Sequence, residues 1–504
     1  MAGISEHRRP GEDGSAPADP FAGVPPVRRV PPEEVASAVR AAGRRIVVLD
    51  DDPTGTQTVA GVPVLTTWSV ADLQWAFRQD APAFYVLTNT RSLDPAEATS
   101  RTREVVAALV DAARAEQVRF VVASRSDSTL RGHYPLETDV VCSTLAERAG
   151  VRVDGIVFAP AYIEGGRVTV DSVHWLRTPA GALPVGESEF ATDATFGYRS
   201  SELRAYVEEK TLGRWRAAEV PRVTLEDLRI GGVEKVAAIL GSLRDGCPVV
   251  CDALCDDDLR VLALAADRAE QAGRVLVYRV GPSFVRARAG LGARPPLTPA
   301  EVGEIRGSSV RLAAAGAGAN GTPVGSAHGL VVAGSHVAQT TRQLAALSRR
   351  GGVVEIELDV ARLLDPGMRR EAIGSTVEAV VAALSSSDTV VSTTRAVLAG
   401  SDPAASLSIA RSVSAGLVEV VRAVVGRTRP GFVVAKGGIT SSDVATGGLG
   451  IRRAWVRGTL LPGIVSLWEP VTDGTPGIPF VVFAGNVGDD DALVSVLSTL
   501  HGDT

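Results

Sequence analysis

The sequence predicts an α/β protein: two α/β domains with mainly parallel sheets and an active site in the interdomain cleft. Three observations carry this. Short Val/Ile-rich runs alternate with longer helical patterns, the alternation breaks once over an Ala/Gly/Pro-rich stretch, and polar or glycine-rich clusters follow several apolar runs. Continuous apolar strands between amphipathic helices belong to a parallel sheet covered on both faces. Ligands of such sheets bind beyond the C-terminal strand ends.

The chain has 504 residues, 45% of them hydrophobic, more than one core usually serves. Residues 1–40 mix seven prolines with Gly, Ser and charge and read as a flexible tail. The first domain, 41–285, holds strands at 46–49, 83–87, 120–123, 155–158, 248–250 and 275–278, with helices at 95–115 and 137–149. Residues 286–327 read as a linker. The second domain, 328–504, holds strands at 330–332, 353–356, 389–391, 432–434 and 480–483, with helices at 337–349 and 489–500.

Charge and composition narrow the function classes. With 52 Lys+Arg against 58 Asp+Glu the net charge is −6, and no basic run offers a footprint for nucleic acid or an anionic membrane. Residues 312–341 lack Asp, Glu, Lys and Arg, but their glycines and polar residues make them too weakly hydrophobic to span a membrane. No secretory core opens the chain, so a cytoplasmic enzyme of small-molecule metabolism is expected. Four cysteines make no disulfide framework. Cys247, Cys251 and Cys255 are spaced by four. On a short strand such positions stand about 13 Å apart, too far to share a metal ion.

Five strand ends carry candidate chemistry. Asp50-Asp51-Asp52-Pro53-Thr54-Gly55-Thr56 follows the first strand. Three adjacent carboxylates repel, so a cation or hydrogen-bonding ligand is expected to compensate them. Functionally they read as a general base and hydroxyl or Mg²⁺ binder, and structurally as a capped turn. Ser124-Arg125-Ser126-Asp127-Ser128-Thr129-Leu130-Arg131-Gly132-His133 follows the third strand. Arginine can hold a carboxylate bidentately and aspartate can accept from sugar hydroxyls, which suits a polyhydroxy acid. In the second domain Gly334-Ser335, Lys436-Gly437-Gly438-Ile439-Thr440 and Gly485-Asn486-Val487-Gly488 precede helices, where backbone N–H groups can cradle phosphates. None is a Walker A loop.

Two other classes compete. Asp50 and Asp52 satisfy the DxDxT pattern of haloacid-dehalogenase-type phosphatases, but Gly488-Asp489-Asp490-Asp491 carries Leu493 where a distal carboxylate is needed. A sugar-acid-binding protein without turnover is the other.

Together these residues make the chain resemble the four-carbon acid sugar kinase family over about 45–500. The resemblance rests on Asp51-Asp52-Pro53-Thr54-Gly55, Asp127-Ser128-Thr129-Leu130-Arg131-Gly132, Gly334-Ser335, Lys436-Gly437-Gly438-Ile439-Thr440, Gly458 and Leu461-Pro462-Gly463. It implies a sugar-acid-binding domain followed by a nucleotide-binding domain, and ATP- and Mg²⁺-dependent phosphorylation of a threonate, erythronate or oxo-tetronate at its terminal hydroxyl. Asp51, Asp52, Asp127 and Arg131 would contact the acid, with Thr54, Arg125, Ser128, Thr129 and Gly132 beside them, and Asp52 or Asp51 would take the proton. Gly334, Ser335, Lys436, Gly437, Gly438 and Thr440, with Gly485, Asn486 and Gly488, would line the nucleotide site. No metal ligand is assigned. Many members carry a lysine where this chain has Phe483, which keeps the non-catalytic reading alive, and residues 173–215 form a longer stretch than the family core needs. The aromatic residues of that stretch suit an oligomer interface or a lid, and a homo-oligomer is left open.

Overall fold

The computed structural model describes residues 19–178, 181–315, 326–334, 337–394, 403–472 and 475–502. The α/β alternation is present, around one 16-stranded, mostly parallel sheet. In the N-terminal half Arg44–Asp50 lies between Ala83–Leu87 and Arg119–Arg125, parallel to both. Val62–Leu65 extends the sheet on one side, and Leu276–Val280, Gly155–Ala159, Cys247–Cys251 and Arg222–Val223 extend it on the other. The order reverses between Asp50 and Arg125, which stand opposite each other in register. In the C-terminal half Leu330–Ala333 lies between Asp388–Thr393 and Val433–Lys436, and the order reverses there too. Crevices open at such reversals, and the loops that follow these strands border them.

The structure departs from two separate sheets. Arg453–Leu461 and Val465–Thr472 run antiparallel, and the first pairs with Val62–Leu65, Arg453 facing Leu65. This joins the two halves edge to edge. Buried Val62 and Val64 share one apolar cluster with Ala454, Val456 and Trp468, each large apolar side chain contributing about 1.5–3 kcal/mol. Trp468 Nε1 donates to Thr56 Oγ1 at 3.0 Å, and Thr56 Oγ1 lies 3.1 Å from Ser466 Oγ. A continuous ladder and a shared core thus link the two halves.

Both expected unstructured segments contain structure. Pro32–Ala42 is a helix burying Val35, Val39 and Ala42, with Pro32 at its first position, where no N–H is needed. Just before it, Val30 N donates to Asp257 Oδ1 at 3.0 Å. Within the expected linker, Pro299–Ala315 is helical, Val302 is buried, and Leu297 N donates to Thr459 O at 2.7 Å. Among the described residues no helix is long and apolar enough to cross a membrane.

Candidate active site

The acidic loop answers its own repulsion with two arginines. Asp50, ending its strand and 1% exposed, accepts from Arg125 Nη1 at 2.9 Å. Burial pushes its carboxyl up to about 7, with the Asp51 and Asp52 charges adding and Arg125 opposing. A Cβ at Gly55 would overlap the Asp50 carboxylate, so glycine is required there. Asp50 does not line the cleft described below, which removes the attacking group of the phosphatase reading. Asp51 is buried and held bidentately by Arg91, Nη2 to Oδ1 at 2.6 Å and Nε to Oδ2 at 3.1 Å. It lies beneath the cleft wall.

Asp52 is different. Its Oδ1 accepts from Thr54 N at 2.9 Å and Thr54 Oγ1 at 2.6 Å, while Oδ2 stands 3.6 Å from Arg91 Nη1. Burial alone would raise its pKa, but Arg91, Arg125 and the Thr54 hydrogen bonds outweigh burial and hold it below the usual carboxylate value. Asp52 is thus a charged carboxylate on the cleft wall.

The loop after Arg119–Arg125 is braced from behind by the 173–215 stretch. Tyr198 and Tyr206 hydroxyls donate to Thr129 O and Leu130 O, each at 2.7 Å. His174 Nε2 lies 2.7 Å from Ser128 O. A carbonyl only accepts, so Nε2 carries the hydrogen, and burial pulls the imidazole pKa down to about 4, keeping it neutral. The aromatic residues Tyr198 and Tyr206 are core, with Tyr134 and Phe158, and this part of the stretch acts as a brace. On the open side Asp127 accepts from Thr129 Oγ1 and from Arg131 Nε. Gly132, at φ 120°, is a position where a Cβ would stand 3.1 Å from Asp51 Oδ2.

In the C-terminal half Gly437, at φ 119°, donates its N–H to Phe483 O at 2.8 Å and opens the helix Gly438–Asp443. A Cβ at Gly438 would stand 2.7 Å from Asp52 Oδ2. The glycine loop and the aspartate therefore touch across the seam. Gly334 packs equally closely on Thr440, its would-be Cβ 2.7 Å from Thr440 Oγ1. Gln343 Nε2 donates to Val487 O and Asp489 O at 3.0 and 2.7 Å, fixing the last glycine loop. Lys436 is fully buried, donates to Ala484 O at 2.7 Å and sits 3.6 Å above the Phe483 ring centroid. Burial lowers its pKa to about 7. It supports the Ala484–Gly485 turn from below and does not line the cleft described next.

These pieces enclose one cleft of about 660 Å³. From the N-terminal half it is lined by Asp52, Thr54, Arg125, Asp127, Ser128, Thr129 and Arg131, and from the C-terminal half by Gly438, Gly485, Asn486 and Gly488. Asp51, Gly132, Gly334, Lys436, Gly437 and Thr440 stand behind that lining. Ser335 lies outside the described residues. Arg91, Tyr162, Arg167 and Phe190 line the cleft without having been singled out. Arg91 follows the strand Ala83–Leu87 and obeys the same strand-end rule as the others. Arg167 begins a hairpin strand, where no such rule points. Among the described residues no group of three or more His, Cys, Asp or Glu could hold a metal ion. Mg²⁺ carried on nucleotide phosphates needs just one or two carboxylates, a demand that Asp52 fits.

Comparison with known proteins matches this division. Residues 46–288 match the sugar-binding N-terminal domain family and residues 330–493 the nucleotide-binding C-terminal domain family. The chain belongs to the four-carbon acid sugar kinase family. A D-threonate kinase of Salmonella typhimurium is 25% identical over 468 residues, covering 90% of this chain and 97% of that one. Crystal structures of a Salmonella typhimurium LT2 protein and a Haemophilus influenzae protein superpose with TM-scores of 0.62 and 0.57. Each is 19% identical and covers 90% of this chain, with 98% and 100% of those chains covered. Sugar-acid kinase membership accounts for an acidic loop and glycine loops meeting in one cleft.

Proposed function

We propose that the protein is an ATP-dependent kinase that phosphorylates the terminal hydroxyl of a four-carbon sugar acid of the threonate, erythronate or oxo-tetronate type. Residues 41–285 would bind the acid and 328–504 the nucleotide. The observation that supports this reading is the close approach of Asp52 to Gly438, where a Cβ would stand 2.7 Å from Asp52 Oδ2, so that a charged carboxylate lies beside a glycine at a helix start. Phosphoryl transfer proceeds mainly by positioning and charge neutralisation. Asp52 orients the acceptor hydroxyl and takes its proton on Oδ2. Thr54 holds the other oxygen, and Arg91 keeps the carboxylate ionised. Asp127, Ser128 and Thr129 offer partners for the remaining hydroxyls. Gly438, Gly485 and Gly488 let backbone N–H groups approach the phosphates. When bound, Mg²⁺ neutralises charge on those phosphates, with Asp52 and Asn486 as the nearby protein oxygen donors. In ³¹P NMR the product phosphorus should couple to the terminal CH₂ protons. Coupling to an internal CH would place the acceptor hydroxyl elsewhere.

The Gly438 contact makes its own prediction. Gly438→Ala should lower kcat/KM by about tenfold to a hundredfold by displacing the loop from Asp52, with an unchanged thermal midpoint. A Gly438→Ala enzyme with the wild-type kcat/KM would show that the contact is dispensable.

A further inference from the structure

Among the described residues four arginines line the cleft: Arg91, Arg125, Arg131 and Arg167. Three already have protein carboxylates. Arg91 holds Asp51, Arg125 holds Asp50, and Arg131 holds Asp127 with Asp193 at 3.6 Å. Arg167 pairs with no carboxylate among the described residues. Its Nη1 donates to Gly165 O, and among the described residues its Nε, like that of Arg125, is buried without a hydrogen-bond partner. A largely buried guanidinium with an unmet donor is costly unless something outside the chain supplies the acceptor.

Its placement is fixed by close packing. Arg167 Cζ stands 5.6 Å from the Tyr162 ring centroid. The Tyr162 hydroxyl donates across the seam to Gly463 O. A Cβ at Gly165 would overlap both the Tyr162 ring and Arg167 Nη1, so the glycine leaves the guanidinium its space. Burial lowers the Arg167 pKa, while the neighbouring Asp127 charge opposes that shift. An arginine held on an aromatic face, short of an anion, presents a planar fork suited to a carboxylate.

Resting on the kinase reading, we propose that Arg167 receives the carboxylate of the sugar acid and so sets the preference for an acid over a neutral sugar. Arg125 and Arg131, committed to protein carboxylates, then organise the acidic loops. Phosphate shares the chemistry of an anion that accepts from a guanidinium, and the nucleotide is its source here, so the test separates the two. D-threonate and its neutral amide are titrated calorimetrically into the full chain, and KM is measured for D-threonate and for ATP. Arg167→Gln should weaken D-threonate binding by about tenfold to a hundredfold, leave the amide's affinity and the KM for ATP unchanged, and erase the acid-over-amide preference. Arg167→Lys, which keeps the charge but not the fork, should fall between, and it reads the same ratio if Arg167→Gln folds poorly. An acid-to-amide ratio unchanged in both variants would overturn the assignment. So would a loss confined to the KM for ATP, which would give Arg167 to the nucleotide. A wild-type chain that binds D-threonate but never consumes ATP would overturn the kinase reading alone, since the binding ratio still decides the role of Arg167. A wild type with equal affinity for acid and amide would overturn the carboxylate assignment itself.

Discussion

Asp52→Asn is expected to cut turnover by about two to four orders of magnitude while leaving the KM for ATP and for the sugar acid nearly unchanged. The geometry makes this substitution clean. Oδ1 already accepts two hydrogen bonds from Thr54, and an asparagine oxygen can keep both. The group turned toward Gly438 then becomes an amide, which cannot take a proton. The loss should fall on kcat, the signature of an interaction realised in the transition state. Because Asp52 is held below the ordinary carboxylate value, it stays charged through the neutral range. The wild-type pH profile should therefore show no acidic loss from Asp52 between about pH 5 and 8. Asp51→Asn should behave differently. Asp51 gives both oxygens to Arg91, so its replacement should lower thermal stability and disturb the loop. Full turnover in Asp52→Asn with turnover lost specifically in Asp51→Asn would reverse the assignment.

Arg125→Met should cost about 3 to 5 kcal/mol of stability at neutral pH. Arg125 and Asp50 are nearly fully buried, and Arg125 also stands 3.5 Å from Asp51. Removing the cation strands the buried Asp50 carboxylate, while Asp51 keeps Arg91. The pH dependence identifies the cause. Asp50 is raised from 3.8 to about 7 in the fold, so between those values the native state keeps a proton that the unfolded chain releases. Stability therefore falls as pH rises through that window. Arg125 resists this by favouring the charged form, so the gap between wild type and Arg125→Met should be smallest near pH 4 and widest above pH 7. Urea unfolding at several pH values checks it. A deficit independent of pH would point to lost packing instead.

Much of this site was legible because its chemistry follows strands. The aspartate loop and the Asp127–Arg131 loop sit where apolar runs end, and the sheet order brings them together. Arg91 obeyed the same rule after Ala83–Leu87, but a lone arginine in a short loop stands out less than a run of carboxylates. Lys436 was legible as a residue of a glycine loop but not in its direction. It shares the strand face of Val434, two positions earlier, and that face packs on Phe483 in the core. The seam is less legible because the apolar residues of Arg453–Leu461 are interrupted by Arg457, Gly458 and Thr459, and nothing local names Val62–Leu65 as its partner. The helices at Pro32–Ala42 and Pro299–Ala315 lie in proline- and glycine-rich surroundings that read as unstructured. Their support comes from distant contacts, Val30 with Asp257 and Leu297 with Thr459.

One seam cleft, on the proposed reading, joins a sugar acid to a nucleotide. Release of ADP by the wild-type chain, measured with ATP and Mg²⁺ in the presence and absence of D-threonate, erythronate and oxo-tetronates, tests it most directly. ADP release should depend on at least one of these acids. ADP formed equally without acid, or no ADP with any of them, would contradict it.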